Sequence, residues 1–263
     1  MASRIRNGGF TLVELLVVIS IIAILAGLIF PALGRAKSRA TRISCLSNYR
    51  QLTLAFMSYV DDANGYLPPN ETEQTGGRDG LNSTARTWVR GNAYADSTPT
   101  NVQMGVLFPY NQSVAIYRCP SDRSSVRDER RIRRTRSVSM NMFLNTVLEP
   151  SHPLYSSCWH RVDQILHPPP SNVFVFIDEH EDSIDNARFA MAQPDRWTWI
   201  DFPAVRHDRA ASLSFADGHA EIWTWRSPVT LETARRGPWI QFVRTPLNDP
   251  DLTRISGSVP VLP

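Results

Sequence analysis

One acidic side chain stands where acids are costly. Glu14 lies inside an apolar run from Phe10 to Leu33, in RNGGFTLVELLVVISIIAILAGLIFPALGRAK. A charge at the centre of a bilayer costs roughly 2.5–3.5 kcal/mol on the insertion scale, so a carboxylate kept there calls for a cationic partner. Other groupings also offer chemistry. His207 and Asp217 are the residue types of an acid–base or metal pair. Asp178-Glu179-His180-Glu181-Asp182, followed by Asp185-Asn186, gathers hard oxygen donors of the kind that bind calcium. The block Arg123–Arg136 holds seven arginines against two acids, Asp128 and Glu129, and suits phosphates or an anionic polysaccharide. Trp197-Thr198-Trp199 and Trp223-Thr224-Trp225 each place two indoles on one face of a strand, a surface on which sugars stack.

Each grouping has a plainer role, and spacing decides between them. If residues 211–216 form one strand, His207 at its foot and Asp217 at its turn lie roughly 30 Å apart. No shared site is expected: Asp217-Gly218 reads first as a turn and His207 as an anchoring hydrogen bond. The acidic stretch lacks EF-hand spacing and reads as a solvated loop; Asp178, Glu179, Asp182 and Asp185 are the residues that would hold calcium, the one cofactor considered. The arginine block reads as a solvated loop extended by self-repulsion, and the indoles as buried core. Cys45, Cys119 and Cys158 contain no CxxC pair, so neither a zinc knuckle nor a thioredoxin-like site is expected. In an exported protein they allow one disulfide and one spare thiol. No nucleophile elbow, glycine-rich phosphate loop or HExxH occurs, and an enzyme is not expected.

The elements that must position these residues follow from periodicity. The apolar run is about 24 residues, where roughly 20 suffice to span a bilayer. It is too long for a cleaved secretory signal, and Glu14 suits that role poorly. Pro31 near its end removes a backbone hydrogen bond and is expected to kink the helix. Beyond it Ala36, Ala40, Ile43, Leu46, Tyr49, Leu52, Phe56 and Tyr59 recur at spacings of three and four, one apolar face of a helix. The helix is expected to end around Asp61–Gly65, before Pro68-Pro69. From Phe10 to Asp62 this makes a rod of roughly 80 Å. Residues from about 66 to 110 read as loop, with Gly76-Gly77, Gly80 and Gly91. Short apolar pieces at Ser113–Arg118, Ser137–Leu144, Val173–Asp178, Ala210–Ala216 and His219–Trp225 read as strands. The last two flank Asp-Gly, a hairpin signal. If Val173–Asp178 pairs antiparallel with Ala211–Ala216, Asp178 or Glu179 meets Arg206 and His207 in a polar clamp. The fold class is therefore α+β, a long helix whose second half packs on an antiparallel sheet. Net charge is only +3 and charged residues are 20%, so neither a nucleic-acid partner nor a multi-span membrane protein is implied.

Gly-Phe-Thr-Leu-Val-Glu-Leu at 9–15 resembles the cleavage and methylation site of type IV pilins and type II secretion pseudopilins. The resemblance implies that a prepilin peptidase, also the N-methyltransferase, cuts between Gly9 and Phe10 and methylates Phe10. Glu14 is then the fifth mature residue, where the family keeps a glutamate that neutralises the α-ammonium of a neighbouring subunit. Pilin-like helices also carry a proline where Pro31 stands. His207 and Asp217-Gly218 resemble the H-x9-DG signature of a bacterial prepilin-type group. Cys-Leu-Ser-Asn-Tyr-Arg-Gln-Leu (45–52), Tyr-Arg-Cys-Pro-Ser-Asp (117–122), Arg-Ser-Val-Ser-Met-Asn (136–141) and Phe-Ile-Asp-Glu (176–179) are similar to the same group. Related proteins commonly carry cysteines in the first two motifs, which implies a Cys45–Cys119 disulfide with Cys158 left over.

The implied organisation is a leader (1–9), a membrane half of the helix (10–33), an exposed half (34–62), a globular domain (63–228) and a tail of uncertain structure (229–263). Arg35, Lys37, Arg39 and Arg42 after the span would favour the cytoplasm by the positive-inside rule, but the cleavage motif is taken over that charge count. The implied location is the bacterial inner membrane, single-pass, with the globular domain periplasmic or extracellular. The implied role is a subunit of a type II secretion pseudopilus or type IV pilus-like filament, partnered by itself, other pilin-like subunits and the assembly machinery. The alternative is a membrane-tethered envelope module that captures an anionic polymer, polysaccharide or DNA.

Overall fold

The computed structural model describes residues 12–74, 81–126, 131–146, 157–191, 197–235, 237 and 240–260. The chain forms two compact units, residues 1–41 and 42–263. The first contains most of the apolar part of helix α1 (Leu12–Asp62), with Pro31 inside it. The helix runs on through Pro31, and its apolar stretch is long enough to cross a membrane, with none of that stretch buried by the protein. Ser20 returns its hydroxyl to the Leu16 carbonyl at 2.7 Å, so even its polar side chain needs no water.

Within the second unit the end of α1 becomes core. Cys45, Tyr49, Leu52, Phe56 and Val60 are buried along one face. The helix closes with two paired hydrogen bonds, Gly65 N–H to the Val60 carbonyl (2.8 Å) and Asn64 N–H to that of Asp61 (3.3 Å). Asn64 (φ 54°) adopts the left-handed conformation that such a close requires, inside the expected Asp61–Gly65 window.

The strands are β1 (Thr72–Gln74), β2 (Leu81–Ser83), β3 (Val138–Asn141), β4 (Phe174–Asp178), β5 (Arg188–Phe189), β6 (Thr198–Trp199), β7 (Ala210–Phe215), β8 (Ala220–Thr224) and β9 (Val243–Arg244). The main sheet has the order β5-β3-β4-β7-β8, flanked by two-stranded pairs β1-β2 and β6-β9. It is mixed rather than wholly antiparallel, because β5 lies parallel to β3. Every residue of β3, β4 and β7 is buried. Both faces of the central sheet are therefore covered, which explains why these strands read as apolar or small runs without clean alternation. Phe56 meets Phe176 edge-on at 6.1 Å between ring centroids, and Trp88 meets the same ring at 5.0 Å.

One strand expectation is corrected. Ser113–Arg118 is not a strand: Val114–Tyr117 forms a 3-10 turn, which follows the short helices α2 (Thr100–Gln103) and α3 (Phe108–Asn111). The tail, whose structure the sequence leaves open, contributes to the core. Its helices α5 (Pro228–Thr233) and α6 (Pro250–Ser256) place Leu231, Leu252 and Ile255 in the core, with Ile240 and Val259. Asp249 caps α6, accepting from the N–H groups of Asp251 and Leu252. Residues 206–209 (α4) turn in the left-handed region at His207, Asp208 and Arg209.

Candidate functional site

The expected cut site, Gly9 and Phe10, lies outside the described residues, as do Gly76-Gly77, Gly80 and the middle of the arginine block (127–130). Glu14 falls in the first turn of α1 and is exposed. There it also faces the positive end of the helix dipole, which favours a carboxylate.

A second set of residues converges where the buried end of α1 meets the sheet. β4 pairs antiparallel with β7 through Phe174↔Phe215 and Ile177↔Leu213, so the exit of β4 meets the turn that begins β7. Arg206, in that turn, reaches three acids: Asp178 (2.8 Å), Glu181 (2.7 Å) and Asp122 (3.2 Å). The polar clamp is present. Its centre is Arg206, while His207 turns to the cysteines. The Asp178 carboxylate also accepts from the Ser137 hydroxyl at 2.8 Å. Burial pushes Asp178 up, against the pull of Arg206. At Asp122 burial also works upward, but Arg206 and the hydrogen bond from the Ser124 backbone N–H outweigh it and hold the carboxyl low.

Beside the clamp lie Cys45 of α1, Cys119 and His207, all buried, with their ligating atoms within 4.8 Å of one another. The His207 Nε2 is 3.0 Å from the Cys119 sulfur, and its Nδ1 is 3.4 Å from the Ser121 hydroxyl. Ser212 donates to the Cys45 sulfur at 3.3 Å. The implied partners Cys45 and Cys119 do meet, and in this structure all three cysteines are free thiols. The Cys119 sulfur is taken up instead by contacts to the Cys45 thiol and the imidazole. That thiol contact, burial and the charge of Asp178 push Cys119 far up, toward its protonated form.

His207 and Asp217 stand at opposite ends of β7, as the spacing required, and share no site. Asp217 accepts from the His219 backbone N–H (3.2 Å) and ring (2.5 Å) inside the β7–β8 turn. Gly218 occupies that turn with φ 96°.

The acidic stretch is not a solvated loop. Glu179 and Asp185 are buried, and Asp182 is partly exposed. Ser183 donates to Glu179 at 2.8 Å, and Asn186 holds Asp185 through its backbone and side-chain N–H groups. Asp178, Glu179 and Asp185 thus each accept from a protein donor; among the described residues the grouping with convergent metal-ligand atoms is the Cys45–Cys119–His207 set. Part of the arginine block is likewise interior: Arg134 and Arg136 are buried. The Arg136 guanidinium donates to the carbonyls of Val138 (2.8 Å) and Asp185 (3.1 Å). Burial, only partly offset by nearby acids, lowers it to about 10. The indoles of Trp199, Trp223 and Trp225 are core, with Trp199 and Trp225 at 6.2 Å.

Arg206 is expected in the clamp from strand pairing, whereas Asp122, Ser137 and Tyr49 carry no individual signal as site residues. Tyr49, Asp122 and the Ser137 beside Arg136 do lie inside three of the short motifs quoted above, but no linear spacing ties them together.

Comparison with curated proteins finds no match, and comparison with solved structures finds none. The model of the prokaryotic N-terminal methylation motif matches residues 4–30. The match covers the Gly9-Phe10 junction, Glu14 and most of the apolar run. The chain therefore opens with a prepilin-type N-terminal methylation motif, carried on a helix able to cross a membrane.

Proposed function

We propose that the chain is a pilin-like structural subunit. It is cut between Gly9 and Phe10 by a prepilin peptidase, N-methylated at Phe10, and assembled with itself or related subunits into a type II secretion pseudopilus or type IV pilus-like filament. Its α+β domain then stands outside the bacterial inner membrane. One observation carries this reading: the methylation motif at 4–30 coincides with the start of an exposed apolar helix that holds one acid in its first turn. Intact-mass measurement of membrane-extracted protein tests it. The expected mass is that of a chain beginning at Phe10 and bearing one methyl group, and Gly9→Ala slows maturation. Retention of Met1 in cells with an active peptidase counts against it.

A surface groove favours a second reading, a tethered module for anionic polymer. Among the described residues, Arg118, Arg133 and Arg134 line a cavity of about 540 Å³ with Ser44 and Asn48 and without a carboxylate, and one nitrogen of buried Arg134 has no hydrogen-bond partner. The presence or absence of this chain in purified filaments separates the two readings.

A further inference from the structure

The Cys45–Cys119–His207 cluster plays no part in cleavage, methylation or membrane crossing, yet it is the most convergent set of ligating atoms among the described residues. Two thiols and an imidazole meet in the core, from α1, from the segment after the 3-10 turn, and from the left-handed turn before β7. Two further buried polar atoms, the Tyr49 hydroxyl and the second oxygen of Asp178, have no hydrogen-bond partner among the described residues. Both residues are near enough to couple electrostatically to Cys119. Buried polar atoms are nearly always satisfied, so orphans beside convergent soft donors point to a missing ligand.

We propose that Cys45, Cys119 and His207 bind a thiophilic divalent cation of the zinc class, with the fourth position facing Tyr49 and Asp178. The donor set is right for it, since thiolate sulfur and imidazole nitrogen are zinc ligands, whereas calcium takes oxygen. The geometry is close. Tetrahedral bonds of about 2.3 Å to sulfur put neighbouring ligand atoms roughly 3.8 Å apart. Atoms already within 4.8 Å need to move by about an ångström. The charge balances too. Two protons leave the thiols as the cation enters, and two thiolates neutralise it. The protonation of the Cys119 thiol is no objection, because the ion's own charge deprotonates a coordinating thiol. Outer contacts are in place: Ser212 donates to the Cys45 sulfur and Ser121 stands at the far nitrogen of His207.

A disulfide between the same two sulfurs accounts for less. It would give the His207 imidazole nothing to bond at its Nε2 and would leave the Tyr49 hydroxyl orphaned.

The sequence signal for such a site is poor because the ligands are dispersed: Cys119 and His207 are 88 residues apart. A bound cation would tie α1 to the sheet at the point where the helix becomes core.

The test uses the full chain, extracted in detergent, reduced with a phosphine and stripped with a chelator. Cobalt(II) is then titrated as a spectroscopic probe. The expected result is one cobalt per chain with thiolate-to-metal charge-transfer absorption, displaced by zinc. His207→Ala weakens cobalt binding at least about tenfold, and Cys158→Ser leaves it unchanged. The wild-type spectrum decides even if a variant fails to fold. Absence of charge-transfer absorption from the reduced wild-type chain overturns the proposal. So does peptide mapping of unreduced envelope protein that finds Cys45 joined to Cys119 with no metal present.

Discussion

Asp178, Glu179, Asp185 and Asp201 are all buried, but they are handled in two ways. Asp178 has Arg206 against it, a charge-assisted contact that offsets part of its desolvation. The carboxylates of Glu179 and Asp201 form no ion pair among the described residues; Arg206 reaches only the Glu179 carbonyl. Burial raises each well above the ordinary carboxylate range, and each is raised further by a neighbouring acid, Asp201 for Glu179 and Asp185 for Asp201. Both groups bind protons more tightly in the folded chain than in the unfolded one. Their contribution to stability is complete below the ordinary carboxylate range and is lost as pH climbs through the raised values. Glu179→Gln keeps an acceptor for Ser183 and removes the ionisable group. It is expected to stabilise the chain by on the order of 1 kcal/mol near pH 8 and to change little near pH 5. Urea unfolding at the two pH values measures this. Equal effects at both would show that the acid's charge is not what matters.

At the scale of elements, legibility followed the range of the interactions. The helix end and the β7–β8 hairpin were readable because local chemistry sets them: an Asn-Gly pair in left-handed conformations, and an Asp-Gly turn. Gly218 sits at φ 96°, and a Cβ there would come within 3.0 Å of the end of Met57. Gly218→Ala is expected to cost about 1–2 kcal/mol, mostly backbone strain since the Met57 tip can shift, and urea unfolding reads it. A neutral result would mean that the turn relaxes to negative φ. Elements set by distant contacts were not readable. Val114–Tyr117 has a strand's composition, yet Tyr117 stacks on Trp88 and accepts from Asn111 through its hydroxyl, which favours a tight turn. β5, β6 and β9 are two residues each, too short for any period to appear. The arginine block read as solvated because charge count carries no information on burial; Arg136 is interior only because folded carbonyls surround it. The cysteine–histidine cluster was invisible as a cluster for the same reason. Its members were each noted, but only the strand order brings them together.

At the scale of the whole chain, the second unit satisfies itself and the first does not. The large side chains of α1 from Leu12 to Leu33 are exposed nearly without exception, Leu12 at 77% and Phe30 at 69%. So continuous an apolar surface needs lipid or sister helices around it. Those two environments treat Glu14 differently. In lipid the carboxylate is a cost and nothing more, so Glu14→Leu is expected to leave membrane insertion intact or improve it. Among sister helices the carboxylate has work to do under the proposed processing, since cleavage after Gly9 would create an α-ammonium on every subunit at the edge of the same apolar layer. Removing one member of a desolvated ion pair costs about 3–5 kcal/mol, since the other charge stays behind without compensation. That is more than a hundredfold in subunit association, at about 1.4 kcal/mol per factor of ten. The expected phenotype is therefore split: Glu14→Leu protein is processed and reaches the membrane at wild-type levels, while its share in sheared or purified filaments falls by about a hundredfold or more. Glu14→Asp, with the charge retained on a shorter arm, is expected to fall between. Quantitative immunoblots of membrane and filament fractions from the same cells read both halves. Wild-type incorporation of Glu14→Leu would mean that the acid does not set the register of neighbouring subunits.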